Sequence, residues 1–476
     1  MSKWMASIGL EVHVQLKTRT KMFCSCPAHR EGEPPNTQVC PVCLGLPGAL
    51  PVMNREAIRK TVLTGLMIGS KIPLRSSFDR KNYFYPDMPK NYQITQQAAP
   101  LCMGGSVDIQ SAGTLKTIRV NHIHQEEDAA KITHLANSSE IDFNRSGTPL
   151  MELVTEPDMS TPDEAIAFLT ALREMLVYAG ISDADLELGH MRCDVNTSIR
   201  PVGTDKLGVK SELKNMNTFR GIHRALTYEL KRQMDTLEAG GSLVQETRRW
   251  DDAAGVTLSM RSKEYAHDYR YFPEPDLPPV ILDEAMIARW RCELPELPAA
   301  KRARFIQDYG LPEYDAGVLT AERAIADYFE AAAQKAGHPK AVSNWVMGEL
   351  LRALGEKGQS IAEARITPDA LAALIALVEK KTINMPAAKE VFQILFEQGG
   401  EPEAIVKEKG LLQVSDSGAM EDFAEQAMAA SPKVVEDFRA GKEAALMFLV
   451  GQVMKLSRGK ANPQMAADVL RRKLST

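Results

Sequence analysis

Between Leu10 and Leu16 the chain alternates without a break: Leu10, Val12, Val14 and Leu16 fall on one side, and Glu11, His13 and Gln15 fall on the other. A period of two belongs to a β-strand and not to a helix, and polar residues at every second position require one face on a core and one face open. The pattern recurs. Arg192, Asp194, Asn196, Ser198 and Arg200 alternate with Cys193, Val195, Thr197 and Ile199, and Lys210, Glu212 and Lys214 alternate with Val209, Ser211 and Leu213. Such strands build an antiparallel sheet with one solvated face, and helical stretches around 163–179 and 220–240 are expected to cover the apolar side. The expected class is α+β.

The alternation ends near residue 293. Beyond it the sequence turns rich in Ala and Leu at helical spacing over 321–336, 340–354, 368–380 and 387–397, with Thr367 and Pro368 as a cap and first helical residue. Gly399-Gly400-Glu401-Pro402 then interrupts the pattern. The expected organisation is a sheet domain over 1–293, an all-α domain over 294–405 and an all-α tail over 406–476. A chain of 476 residues accommodates three domains. No run of about twenty apolar residues is present, so the expectation is a cytoplasmic protein without membrane insertion.

The net charge is −5, which argues against a protein that coats nucleic acid through bulk positive charge. Its distribution is uneven: from Ala440 onward seven Lys and Arg stand against two acids, a net +5. That excess suits an anionic partner, and it equally suits solvated helix faces.

Cys24-Ser25-Cys26 and Cys40-Pro41-Val42-Cys43 offer two pairs of thiolates on tight turns, the donor set of a tetrahedral zinc site with no position left for a substrate. Zinc there is expected to be structural, knitting a loop without a core of its own. Cys102, Cys193 and Cys292 are scattered and are expected to be buried thiols, because seven cysteines are too few for a disulfide scaffold at this length.

Carboxylates recur at Glu11 beside His13, at Glu126-Glu127-Asp128, and at Glu152 followed by Glu156 and Asp158. Oxygen donors with one imidazole suit Mg²⁺ or Mn²⁺ carrying phosphate oxygens. The alternation is broken over 118–128, so the pattern does not choose between Glu126 and Glu127. Phosphate-binding cations are available at Arg80, Lys81, Arg192, Lys210, Lys214, Arg261, Lys263 and Arg270. No Walker A loop exists; Gly65 to Lys71 is one residue short and lies in an apolar run. Nor is there a Gly-x-Ser-x-Gly elbow, an amidase-like Gly/Ser stretch or a Cys–His pair in a convincing context, which argues against hydrolysis through a covalent intermediate. Segments 79–87 and 268–276 echo one another in basic, aromatic and Pro-Asp elements, as two halves of a cleft or as two aromatic-rich turns.

The strings Ile8 to Leu16, Arg80 to Asp87, Asn144 to Glu152, Glu212 to Asn217 and Asp268 to Asp276, with Gly451 to Lys455 near the end, resemble the GatB component of the glutamyl/aspartyl-tRNA amidotransferase, GatCAB, over essentially the whole chain. The resemblance implies a cradle similar in fold to glutamine synthetase and the guanidino kinases, followed by a helical domain and a YqeY-like tail that grip tRNA. It also implies the reaction: Glu on tRNA(Gln) or Asp on tRNA(Asn) is phosphorylated by ATP on its side chain, and ammonia displaces the phosphate. Its implied partners are the glutaminase component GatA, the small component GatC, the misacylated tRNA and a non-discriminating aminoacyl-tRNA synthetase. By the same resemblance His13, Glu127 and Glu152 are the Mg²⁺ ligands, Glu11 is a catalytic neighbour, and Arg192, Lys210 and Lys214 contact phosphate. Two alternatives remain open on the residues alone, a ligase acting on a small carboxylic acid and a zinc-stabilised RNA-binding protein without chemistry.

Overall fold

The computed structural model describes residues 3–28, 32–262, 269–413, 417–439, 441–457 and 460–475; Lys263, Asp268 and Arg458 lie outside the described residues. Contacts divide the chain into two compact units, 1–297 and 298–476.

The first unit is built on a nine-stranded sheet. Its strands are β1 (Trp4–Gln15), then, after two strands of a smaller sheet, β2 (Asp79–Asn82) and β3 (Tyr92–Thr95), come β4 (Cys102–Met103), β5 (Ser106–Ser111), β6 (Thr114–Glu127), β7 (Pro149–Thr155), β8 (Met191–Pro201), β9 (Ser211–Lys214), β10 (Glu246–Asp251) and β11 (Val256–Ser262). The order across the sheet is β11-β10-β9-β8-β1-β7-β6-β4, with β5 also on β6. All pairs are antiparallel except β9 with β10. The twelve-residue β1 lies in the middle because it alternates most cleanly: Leu10, Val12 and Val14 are buried while Glu11, His13 and Gln15 remain half-buried on the other face. Burying one such aliphatic side chain contributes about 1.5–3 kcal/mol, and the alternation repeats on β8, so the apolar faces fix the register.

Helices α1 (Arg55–Met67), α2 (Pro162–Tyr178) and α3 (Phe219–Glu238) pack on that apolar face through residues such as Val62, Phe168 and Leu226. Each begins on a side-chain cap, Asn54, Thr161 and Thr218 respectively. A three-stranded sheet, ordered β12 (Phe272–Pro273), β2, β3, joins the two echoing sequence segments as neighbouring strands, with Phe272 opposite Arg80.

The second unit is helical and contains two separate cores, one spanning Phe305 to Val406 and one spanning Met420 to Leu474. The stretch read as one helix over 340–354 is Pro339–Trp345 and Leu351–Lys357 joined by a π-helical turn at Val346–Leu350. Cys102 and Cys193 are buried, but Cys292 is exposed, contrary to expectation, because it ends a short helix whose buried side carries Ile287 and Trp290. Among the described residues no helix is long and apolar enough to cross a membrane.

Candidate active site

The polar face of the sheet collects the acids. In antiparallel pairing, directly opposed residues point the same way, and His13 stands opposite Arg192 on β8 and Glu152 on β7, while Glu152 stands opposite His124 on β6. One row across four strands therefore reads Arg192, His13, Glu152, His124. Glu126 joins it from two positions along β6. His13 Nδ1 lies 3.1 Å from Glu126 Oε1 and 3.7 Å from Glu152 Oε2. His124 Nε2 lies 3.4 Å from Glu152 and 3.8 Å from Glu126.

Burial alone would push the His13 imidazole down, but the hydrogen bond and charge of Glu126, with Glu152 and Asp194, lift it to about 9. Burial likewise opposes the charge on Glu126, and here hydrogen bonds from His124 and His13 win, holding its carboxyl well below the usual range. Glu152, for which burial is the largest influence, is pushed up. One donor atom each from His13, Glu126 and Glu152 lies within 4.8 Å of the others. Two carboxylates and an imidazole at that spacing fit a hard divalent cation.

A second group stands one row along. Glu11 is opposite Asp194, and Glu11, Asp194 and Glu212 also bring donor oxygens within 4.8 Å. Lys214 bonds Asp194 and lies 3.1 Å from Glu212, and Asn196 Nδ2 donates to Glu11 Oε1 at 2.8 Å. Buried Asp128 takes Arg192 at 2.9 Å and Gln15 Nε2 at 2.9 Å, with Arg145 at 3.7 Å. These arginines overcome burial and keep its carboxyl low, and Asp128 in return raises Arg192. A cavity of about 840 Å³, lined by Gln15, Arg145, Arg192, Asp194 and Asn215 among others, opens beside them. Lys81 approaches from the small sheet: burial opposes its charge, but Glu126, Tyr271, Tyr269 and Glu152 together raise it.

The four cysteines converge, with their sulfurs within 4.8 Å of one another. Cys40 N donates to Cys43 Sγ at 3.2 Å, and fully buried Lys21 brings Nζ to 3.6 Å from the same sulfur. The hydrogen bond from Cys24 is the largest influence drawing the Cys43 thiol down, to about 4. Among the described residues from 24 to 54 only Cys43 is buried. A loop that cannot bury side chains needs another anchor, and four converging sulfurs can hold a metal that provides it.

Two family models match: the GatB/GatE catalytic domain over residues 6–288 and the GatB domain over 327–474. The aspartyl/glutamyl-tRNA(Asn/Gln) amidotransferase B-subunit of Caldicellulosiruptor saccharolyticus is 52% identical over 472 residues, 98% of each chain. The proteins of the same name from Carboxydothermus hydrogenoformans and Thermodesulfovibrio yellowstonii are 50% and 52% identical, over 100% and 98% of both chains. The chain belongs to the GatB family.

Within this GatB-family fold His13 and Glu152 come together as expected, but their third partner is Glu126 and not Glu127. The reason is a β-bulge. Thr155 pairs with Val120 and Val154 with His122, so Asn121 is an extra residue in β6. Before it Ile118 and Val120 face the core; after it Ile123, Gln125 and Glu127 do, leaving His122, His124 and Glu126 on the polar face, where His124 and Glu126 are themselves buried. Glu127 is thus turned away and clasped by Lys90 Nζ at 2.5 and 2.6 Å and by Ile94 N at 3.0 Å. It borders a cavity of about 190 Å³ between the cysteine loop and the sheet, lined also by Lys21, Cys43 and Tyr92. Glu11 and Lys214 belong to the second acidic group. Lys210 precedes β9, and among the described residues no contact ties it to either group. Among the candidate cations whose side chains are described, Arg192 stands opposite His13, and Lys81 feels the charges of Glu126 and Glu152. Sequence reasoning misses His124, although the spacing His122, His124, Glu126 is itself an alternation that marks the three as one face.

Proposed function

We propose that this chain is the component of an aspartyl/glutamyl-tRNA(Asn/Gln) amidotransferase that activates the misacylated amino acid. The observation that carries the reading is the His13–Glu126–Glu152 group on the polar face of the sheet, flanked by the cations Arg192 and Lys81. A carboxylate is a weak nucleophile toward ATP, so its phosphorylation depends on positioning and on neutralising charge that spreads over the phosphate oxygens. Mg²⁺ held by His13, Glu126 and Glu152 supplies part of that neutralisation when bound. Arg192, fixed by Asp128, and Lys81 offer permanent positive charge to the transferred phosphate, and Lys214 is placed for a further contact from the Glu11–Asp194–Glu212 side.

The side-chain oxygen of Glu or Asp on the tRNA attacks the γ-phosphorus, ADP leaves, and the resulting acyl phosphate is attacked by ammonia, which loses a proton as phosphate departs. None of this needs a nucleophile from the protein. The Cys193 thiol, buried and pushed far up by that burial, offers none. Shelter within a cradle, similar in fold to glutamine synthetase and the guanidino kinases, limits hydrolysis of the acyl phosphate. Ammonia comes from glutamine on the glutaminase component GatA, the small component GatC completes the assembly, and a non-discriminating synthetase supplies the misacylated tRNA in the cytoplasm. The four cysteines hold structural Zn²⁺, and the helical domain with the YqeY-like tail over 406–476 grips the tRNA body.

The test is reconstitution with GatA, GatC, ATP, Mg²⁺ and glutamine, following charged Glu-tRNA(Gln) and Asp-tRNA(Asn) separately. Conversion of either to the amide is the expected result. ATP consumption that is indifferent to tRNA, with no conversion of either, would sink the reading in favour of a ligase for a small acid.

A further inference from the structure

Six aromatic rings are exposed among the described residues, and four of them, Phe84, Tyr85, Tyr271 and Phe272, sit on the small sheet or its connecting loop. The other two, Tyr314 and Phe448, lie singly on separate helices of the second unit, so this concentration calls for a partner. The four are not scattered along it. Tyr83 and Tyr85 are 6.0 Å apart, Tyr269 and Tyr271 are 6.0 Å apart, and the Arg270 guanidinium lies 5.8 Å from the Phe84 ring, bridging the two segments. Arg270 holds a left-handed backbone, φ 46°, which a non-glycine residue rarely adopts. Asn82 maintains it by donating Nδ2 to the carbonyls of Tyr269 and Arg270 at 3.0 and 2.7 Å. A shallow depression of about 400 Å³ lies against Phe84, Tyr85, Pro86, Met88, Pro89 and Asn91.

The same sheet forms a wall of the acidic site. Lys81 stands opposite Gln93, and Gln93 Nε2 donates to Glu126 Oε2 at 3.1 Å. Lys81 Nζ also lies 4.9 Å from the Tyr269 ring. A surface of rings interleaved with cations therefore runs from open solvent toward the carboxylates.

We propose that Phe84, Tyr85 and Tyr271, with Arg270, form a stacking platform for the unpaired nucleotides at the aminoacylated 3′ end of a tRNA, guiding that end toward the Glu126–Glu152 group. The proposal rests on the reading that this chain acts on aminoacyl-tRNA. Unpaired bases are held by aromatic faces and guanidinium planes, with cations tracking the backbone. Two other occupants fit less well. A partner protein would meet aliphatic side chains, yet the exposed apolar residues of these two segments include no Leu, Ile, Val or Met. An ATP base is normally enclosed on most of its surface, whereas the Phe84 ring is 66% exposed.

The test uses the reconstituted complex carrying Phe84→Ala with Tyr85→Ala. The KM for charged tRNA and the Ki of uncharged tRNA should both rise about tenfold or more, with the KM for ATP within twofold and co-purification with the partner proteins intact. Uncharged tRNA trimmed of its last three nucleotides should bind the wild-type complex about tenfold more weakly than full-length tRNA, but bind the double variant no more weakly than full-length tRNA does. Phe84→Trp should preserve affinity and Phe84→Leu should not, which separates stacking from apolar volume in proteins that keep their melting temperature. An unchanged Ki in the double variant, a raised KM for ATP alone, or loss of the partner proteins would each overturn the platform. A wild-type complex that converts no charged tRNA would overturn the functional reading instead, and the direct binding of full-length and trimmed tRNA, which needs no turnover, would still decide the platform.

Discussion

Glu126 and Glu127 are adjacent in the chain yet face opposite layers of the fold, so the same substitution should have different consequences at each. Glu126→Gln removes a carboxylate from the His13 and Glu152 group. We expect Mn²⁺ affinity, read by electron paramagnetic resonance titration, to fall by about 100-fold, with a drop in melting temperature as well because the buried Glu126 carboxylate is held by His13 and His124. Glu127→Gln leaves Lys90 buried without its counter-ion, a change of the kind that costs about 3 kcal/mol; the melting temperature should drop while Mn²⁺ affinity holds. Equal metal loss in both variants would refute the assignment of faces. The half of this site on β1 was legible in the sequence, because Leu10, Val12 and Val14 bracket Glu11 and His13 without interruption. The half on β6 was not. Asn121 carries no local mark that it is a bulge, and only pairing with Val154 and Thr155 reveals the extra residue. The alternation of His122, His124 and Glu126 marks them as one face, but not which side of the sheet that face takes.

Among the elements, α3 is tied to the edge of the sheet by one buried acid. Glu229, with no exposed surface, accepts from Arg232 at 2.7 Å, from Gln233 at 2.9 Å and from Thr257 at 2.8 Å, and Arg248 lies 3.3 Å away. Burial disfavours its charge, but these donors prevail and hold its carboxyl below the ordinary 4.5. A carboxyl depressed in the folded state stabilises the fold above its unfolded value and loses that contribution as pH falls through the folded value. Wild type should therefore exceed Glu229→Gln by about 3 kcal/mol at neutral pH, and the gap in melting temperature should narrow once the pH drops below about 4.5; a gap independent of pH would show that the charge is not what matters. The cysteine loop permits a cleaner experiment. One zinc per chain is expected on metal analysis, and its removal by chelator should open the loop over 24–54 to protease while the helical unit melts unchanged. Absence of zinc, with four thiols titrating in the folded protein, would exclude the structural metal. Here sequence spacing disclosed the donors, whereas burial of Lys21 beneath Cys43 depends on the loop folding back over Phe143 and could not be read from spacing.

For the whole molecule, charge was the least transparent property. The +5 counted from Ala440 onward is partly consumed within the tail itself: Lys473 pairs with Glu425 at 2.5 Å, Arg472 pairs with Glu421, and Lys442 pairs with Asp437 at 2.8 Å. Over 406–476 eleven Lys and Arg face nine Asp and Glu. Binding of tRNA by the assembled complex should accordingly show a shallow slope of log affinity against log salt, about −2 to −4, well short of the roughly −10 of strongly electrostatic DNA binders; a slope near −10 would mean that the tail's internal pairs do not survive in solution. The change of architecture near residue 293 was legible because helix and sheet impose different periods, and a division of the helical part was expected from the sequence near residue 405, beside Val406 at the end of its first core. Those three cores also shape how the chain ages in a cell. Local opening of any one core exposes a cleavage site even while the sheet keeps its carboxylates in place, so the lifetime of the whole polypeptide follows its least stable core and not the one that carries the chemistry.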